Sequence, residues 1–334
     1  MTASGWPSLS ADDTKAYLSF NNHVYAVNLD TGTEAWRFPT QPDSKITFYA
    51  APTISDDGQL IIGGYNGVLY SLDPQTGVKN WTFEKSEGRY IGSALITEKG
   101  IFAPSSDNFL YALSLDGKEL WPPFETTKPI WSSPISDENC DCIYVPSMDH
   151  HLYIIDTNSG DLIWKSDDLG GAIVGKPAIS DEKILYVGTY GKEMYAIDVS
   201  NKQTMWKFGT SNWIWSGPTI EGDRIYFGDL SGNFYSIDRK SGSQIWQIQP
   251  GEAIVGEPLV LNGQIIFTTV DGKIVSVNDE GAIKWSQQID GDLYAGPIYS
   301  NGTILVANNK SDALLMAYDE NGNQRWIFTP EEKK

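Results

Sequence analysis

The sequence predicts an all-β fold: an eight-bladed β-propeller whose four-stranded antiparallel blades carry tryptophan-docking repeats. A tryptophan recurs eight times at intervals of 39 to 45 residues, and a glycine stands four residues before seven of these eight. About 40 residues per four-stranded unit is the period of a propeller blade. No segment shows the periodicity of an amphipathic helix, which excludes helical solenoids of similar period. The repeated tryptophans are Trp36, Trp81, Trp121, Trp164, Trp206, Trp246, Trp285 and Trp326.

The first strand of each unit is marked by a proline that runs in phase with the tryptophan. These landmarks are Pro7, Pro52, Pro134, Pro177, Pro218, Pro258 and Pro297, with Ala94 at the equivalent place in the third unit. Short period-two segments follow, for example residues 60–63, 68–72 and 79–83 in the second unit. Turn sequences separate them, so the unit is expected to be strand, hairpin, strand, turn, strand.

The repeats fill the chain, so we expect one domain over residues 1–330 and a polar tail at residues 331–334. A single blade is apolar on both faces and needs a neighbour on each side. Since the first unit has its own first-strand proline and the eighth its own tryptophan, the eighth blade should close the ring by packing against the first.

Charge and hydropathy exclude several classes of partner. The formal net charge is −19, which repels nucleic-acid phosphates and anionic lipid headgroups. The longest apolar run has six residues, Ala313 to Tyr318, whereas a membrane-spanning helix needs about twenty. We therefore expect no nucleic-acid partner and no membrane insertion. The expected partner is another protein, and the expected oligomeric state is a monomer.

The amino-terminal residues lack the basic and apolar pattern of a secretory signal. The protein is then either cytoplasmic or has lost its signal. The second case would favour an extracytoplasmic or cell-envelope location.

The repeat resembles the tryptophan-docking repeat of the PQQ-type (pyrroloquinoline quinone) propellers. Residues 25–36 read YAVNLDTGTEAW and residues 235–246 read YSIDRKSGSQIW. The resemblance covers all eight units. It implies that the eight repeated tryptophans are structural, each indole packing between neighbouring blades.

The family resemblance implies either a quinoprotein dehydrogenase, with PQQ and calcium, or a non-catalytic propeller of the BamB type. The dehydrogenases have an adjacent Cys-Cys pair, long insertions between blades and a calcium-binding carboxylate set. This chain has no adjacent cysteines and no gap between repeated tryptophans above 45 residues. We therefore expect no cofactor and no catalytic residue, with PQQ and calcium as the alternative.

The segments before the landmark prolines hold the candidate binding residues. Eight backbones approach the axis there, and the position two residues before the landmark is always small. Large aromatic residues stand beside it, and they could stack a planar ligand, anchor a partner or pack between blades. The candidates at this channel mouth are Tyr49, Arg89, Tyr90, Trp131, Trp213, Trp215 and Tyr294.

The remaining reactive side chains predict no metal site. Asp107, Asp149, Asp229 and Asp271 fall in hairpin turns, where aspartate forms local hydrogen bonds, or alternatively an acidic rim. Cys140 and Cys142 are interpreted as two separate thiols rather than a disulfide or half of a soft-metal site.

The functional hypothesis is a non-catalytic, protein-binding scaffold, and the expected setting is a cell-envelope or surface assembly. The alternatives are a PQQ- or metal-binding oxidoreductase and a ligand-sensing ectodomain.

Overall fold

The computed structural model describes residues 8–137 and 140–331. These residues form eight four-stranded antiparallel sheets arranged as a propeller, which confirms the predicted fold class. Strand order within each sheet follows the chain, so each blade is built from one repeat. No helix of the length and hydropathy needed to cross a membrane occurs in these described residues. The landmark Pro7 and the end of the predicted tail, residues 332–334, lie outside the described residues.

The chain divides into two compact units. Unit 1 comprises residues 1–131, 158–160 and 298–334, and unit 2 comprises residues 132–157 and 161–297. The single domain over residues 1–330 stays a prediction.

Unit 1 contains the first, second, third and eighth blades. Blade 1 is β1 (Ser8–Ala11), β2 (Lys15–Phe20), β3 (His23–Asn28) and β4 (Glu34–Phe38). Blade 2 is β5 (Thr53–Ile54), β6 (Leu60–Gly63), β7 (Leu69–Leu72) and β8 (Lys79–Phe83). Blade 3 is β9 (Leu95–Thr97), β10 (Gly100–Pro104), β11 (Phe109–Leu113) and β12 (Phe124–Glu125). Blade 8 is β29 (Ile298–Ser300), β30 (Thr303–Ala307), β31 (Leu315–Tyr318) and β32 (Gln324–Phe328).

Unit 2 contains the four middle blades. Blade 4 is β13 (Ile135–Ser136), β14 (Cys142–Pro146), β15 (Leu152–Asp156) and β16 (Leu162–Lys165). Blade 5 is β17 (Ala178–Ile179), β18 (Ile184–Gly188), β19 (Glu193–Asp198) and β20 (Gln203–Gly209). Blade 6 is β21 (Thr219–Glu221), β22 (Arg224–Gly228), β23 (Phe234–Asp238) and β24 (Gln244–Ile248). Blade 7 is β25 (Leu259–Leu261), β26 (Gln264–Thr268), β27 (Lys273–Val277) and β28 (Ile283–Gln288).

The second and third strands of each blade supply the core. All four residues of β6 and all four of β7 are buried, because blades pack on both faces of these strands. The fourth strands are more exposed, as in β16. Apolar clusters fill the spaces between successive blades within each unit.

The eighth blade packs against the first blade within unit 1. Tyr25 and Phe328 meet edge to face with ring centroids 5.6 Å apart. The Ser300 hydroxyl donates a hydrogen bond to the Asp12 carbonyl at 2.7 Å. Between residues 8 and 331, each of the two blades uses only strands from its own repeat.

Candidate functional site

The repeated tryptophans dock onto the next blade through a glycine. Trp36 Nε1 donates a hydrogen bond to the Pro74 carbonyl at 3.0 Å, in the turn that leads to β8. A Cβ placed on Gly77 in that turn would lie 2.6 Å from the Trp36 indole. Only glycine leaves room for the ring, which explains why glycine recurs four residues before tryptophan. The same contact joins Trp81 to Gly117, Trp121 to Gly160, Trp206 to Gly242, Trp246 to Gly281 and Trp326 to Gly32.

A β-bulge directly before the tryptophan orients the indole. Ala26 pairs with Trp36 and Val27 pairs with Glu34, so Ala35 has no partner across the ladder. The same register shift occurs between the third and fourth strands of seven blades. Bulges commonly re-aim a neighbouring side chain, and here the re-aimed side chain is the docking indole.

Two repeats depart from this arrangement. Trp121 precedes β12 instead of lying in it, because Pro122 and Pro123 cannot donate ladder hydrogen bonds at that place. In blade 5, Lys202 occupies the glycine position with a φ of 59°. Because a Cβ at this position would clash with the indole in the other repeats, we expect Trp164 to lie farther from residue 202 than Trp36 lies from Gly77. Trp164 remains half-buried against the core of unit 2.

The segment between the fourth strand of one blade and the first strand of the next is called here the lead-in loop. Aspartates of the second-to-third-strand hairpin turns hold these loops in place. The fully buried Asp229 accepts hydrogen bonds from Tyr235 Oη at 2.9 Å and from the Asn212 backbone at 3.3 Å. Asp107 likewise accepts from Tyr111 Oη and from the Gly88 backbone. Burial raises the pKa of Asp107, but hydrogen bonds to Ser105, Tyr111 and Ser86 outweigh it and lower that pKa.

Two predicted candidates and one unpredicted residue form an aromatic patch in unit 2, consisting of Tyr190, Trp213 and Trp215. The Tyr190 and Trp213 rings stack with centroids 4.7 Å apart and planes 15° apart. Trp215 packs on Tyr190 at 5.9 Å. Trp213 remains 45% exposed, and burial raises the pKa of Tyr190 to about 12. The patch therefore presents a large, uncharged aromatic surface to solvent.

Equivalent loops in unit 1 bring together Tyr49, Tyr65 and Arg89. The Arg89 guanidinium lies 4.2 Å from the Tyr65 ring centroid, and its Nη1 donates a hydrogen bond to Tyr65 Oη at 2.6 Å. Tyr49 packs on Tyr65 with centroids 4.7 Å apart. Arg89 and Trp213 both stand five residues before the first-strand landmark, and both stack on a tyrosine from the hairpin turn of the preceding blade. The two sites thus share one geometry with different chemistry.

The other three candidates are placed differently. Tyr90 is 1% exposed and belongs to the core of unit 1, since it occupies the buried position that Phe48 and Ile214 take in their blades. Trp131 is half-buried, and its indole N–H has no hydrogen-bond partner among the described residues. Tyr294 is half-buried and donates from Oη to Asp292 Oδ2 at 3.2 Å.

Lys176 and Glu257 form a further candidate site that the sequence interpretation missed. They stand immediately before the landmarks Pro177 and Pro258, and their side chains line a cavity of about 340 Å³ in unit 2. The available signal was charge: most units carry an uncharged residue immediately before the landmark, whereas the fifth has lysine and the seventh has glutamate.

The cysteine prediction was wrong. Cys140 and Cys142 form a disulfide, with Cα atoms 5.1 Å apart. The turn before β14 brings the two sulfurs to one side, which the spacing allowed but the interpretation as separate thiols did not choose. No group of three metal-binding side chains occurs in residues 8–137 and 140–331.

The docked, bulged fourth strands and their glycine receptors define a PQQ-like β-propeller. A family model described as outer membrane protein assembly factor BamB matches residues 21–207, 148–253 and 231–334. The chain therefore belongs to the BamB family of propellers.

Solved structures show the same fold. The crystal structure of BamB from Moraxella catarrhalis is 20% identical, with a TM-score of 0.75 over 90% of this chain and 90% of that chain. The computationally designed Ika8 protein is 11% identical, with a TM-score of 0.78 over 98% of this chain and 96% of that chain. A search of curated proteins found no match.

Proposed function

We propose that this protein is a non-catalytic scaffold that binds a protein partner in a cell-envelope assembly. Family membership supports a binding role, since the matching family model is described as an outer membrane protein assembly factor. The observation that carries the proposal is the aromatic patch, because a stacked and exposed tryptophan is the residue type that most often anchors a protein interface.

The loops that carry the patch are held rigidly. The Tyr190 backbone N–H donates to the Ala172 carbonyl at 2.9 Å, and the Leu230 backbone N–H donates to the Trp213 carbonyl at 3.0 Å. Asp229 adds the hydrogen bond to Asn212 described above. A surface ordered before binding loses less conformational entropy when a partner arrives. These hydrogen bonds therefore favour a docking site that is already formed in the free protein.

The charge of the chain indicates what kind of partner it attracts. A net charge of −19 accelerates association with a basic surface and slows association with an acidic one. The partner should therefore combine an apolar anchor for the patch with a basic rim.

Site-specific photo-crosslinking tests the proposal. A photoreactive phenylalanine analogue replaces Trp213 in one variant and Met205 in a control; Met205 is 52% exposed on the fourth strand β20. In extracts of the source organism, the variant at position 213 should crosslink one discrete protein and the variant at position 205 should not. Equal crosslinking from both positions, or none from position 213, would refute a docking site at the patch.

A further inference from the structure

The cavity in unit 2 opens to solvent, and its lining combines residues from the first strands of three blades with Lys176 and Glu257. Its volume is about 340 Å³, at the lower end of the range for small-molecule sites. The walls include Ile135, Pro177, Ile179, Pro218 and Ile220. These side chains offer a ligand apolar contacts beside the two charged groups.

Two opposite charges line this cavity without partners. Solvent reaches the side chains of Lys176 and Glu257. Within the described part of the chain, neither the Lys176 ammonium nor the Glu257 carboxylate makes a hydrogen bond or an ion pair. Neither charged group is held by a short-range contact, and the attraction between them acts at longer range.

Gly217 lies between the two charged residues and makes room for one of them. A Cβ on Gly217 would lie 2.6 Å from Glu257 Oε1 and 2.5 Å from the Lys176 carbonyl oxygen. Any larger residue would push the carboxylate away from this place. The glycine therefore lets the Glu257 carboxylate lie over the backbone of blade 6, on the side of blade 5 that carries Lys176.

Glu257 has protein atoms on several sides, although its side chain reaches solvent. Burial among protein atoms raises the pKa of the carboxyl, and the Lys176 ammonium only partly opposes this effect. Because the side chain reaches solvent, the carboxylate can bind a ligand that enters from the open side of the cavity. A ligand ammonium placed against the Glu257 carboxylate would give it an ion-pair partner. A ligand with only a positive charge would leave Lys176 unpaired, and a ligand with only a negative charge would leave Glu257 unpaired.

We propose that this cavity binds a small zwitterion, an amino acid or short peptide, whose ammonium contacts Glu257 and whose carboxylate contacts Lys176. The apolar walls would hold the side chain of the ligand. This site does not depend on the proposed function, because it uses inner-strand residues and none of the aromatic patch.

A thermal-shift screen is the first test. The probes are the twenty common L-amino acids and the dipeptide alanyl-leucine, each at about 10 mM, since a ligand in excess of its dissociation constant stabilises the native state. At least one probe should raise the melting temperature of the intact protein. No shift with any of them would overturn the proposal.

Calorimetric titration with the best probe of the screen then tests which charged residue contacts which end of the ligand. Its N-acetyl derivative lacks the ammonium, and its amide lacks the carboxylate. Glu257→Gln should weaken binding of the unmodified probe about tenfold or more but leave the N-acetyl derivative unaffected. Lys176→Met should likewise weaken binding of the unmodified probe about tenfold or more, but leave binding of the amide unaffected.

Glu252→Gln is the control, because Glu252 is exposed in the same lead-in loop and does not line the cavity. It should bind every probe like the parent protein. Binding that is equally strong in all three variants would place the ligand elsewhere and overturn the proposal. A far-ultraviolet spectrum and melting curve of each variant show that it is folded.

Discussion

The Trp36 indole lies over Gly77 of the next blade so closely that a Cβ on that glycine would stand 2.6 Å from the ring. The indole N–H completes the contact by donating to the Pro74 carbonyl. One glycine and one tryptophan therefore join each pair of docked blades. Within one blade, the glycine that receives the preceding blade's tryptophan stands four residues before the blade's own tryptophan.

Gly77→Ala should destabilise the protein by about 2–4 kcal/mol, because overpacking costs about 1–3 kcal/mol and the positive φ of 70° adds about 1 kcal/mol of backbone strain. Gly58→Ala is the matched control, because Gly58 also has a positive φ of 81° but no atom lies within 4 Å of its added Cβ. Gly58→Ala should cost only the backbone strain, about 1 kcal/mol. Urea unfolding measures both, and equal losses would contradict the docking contact.

Trp36→Ala should lower the unfolding free energy more than Trp164→Ala. Trp36 is 9% exposed and docked on glycine, so its loss should cost about 3–5 kcal/mol. Trp164 is half-buried, and its repeat partner position holds Lys202 instead of glycine. Urea unfolding of the two variants measures both losses of unfolding free energy. A larger loss for Trp164→Ala than for Trp36→Ala would contradict this prediction.

Glu257 should make stability fall as pH rises. Its folded-state pKa is raised above the usual 4.5, so the native state binds more protons than the unfolded state between these two values, and unfolding becomes easier across that window. Glu257→Gln should therefore melt higher than the parent protein at neutral pH and at the same temperature below pH 4.5. If the melting temperatures of Glu257→Gln and the parent protein differ by the same amount at every pH, the Glu257 pKa is not raised. Glu252→Gln is the control.

The disulfide should be present but contribute little. Closing a loop of three residues removes chain entropy worth only about 1.6 kcal/mol. Alkylation and intact-mass analysis should find no free thiol in the untreated, denatured protein and two after reduction. Two alkylated thiols without reduction would contradict the Cys140–Cys142 bond.

Calorimetric titration with PQQ, with and without calcium, should show no saturable binding. This outcome is expected from the lack of adjacent cysteines and of long insertions in the sequence. Saturable, calcium-dependent binding would support the oxidoreductase alternative.

The sequence was sufficient to predict the eight blades, because the tryptophan, glycine and proline landmarks each repeat with the blade. β6 and β8 begin and end where the alternation predicts. Tyr65 and Tyr190 were missed because their stacking depends on how a hairpin turn meets the lead-in loop of the next blade.

Tyr90 shows the opposite limit. It is close in sequence to Arg89, but extended backbone alternates sides, so Arg89 lies at the surface and Tyr90 in the core. Position relative to the landmark therefore decides burial more strongly than residue type does.

The affinity of the crosslinked partner for Trp213→Ala most directly tests the claim that the aromatic patch is a docking site. Ile283→Ala is the control, since Ile283 is 57% exposed on the fourth strand of blade 7. We expect Trp213→Ala to weaken binding about thirtyfold or more, as for loss of a 2 kcal/mol anchor, with the melting temperature little changed and Ile283→Ala binding normally. Equal affinities for the parent protein and Trp213→Ala would contradict the account.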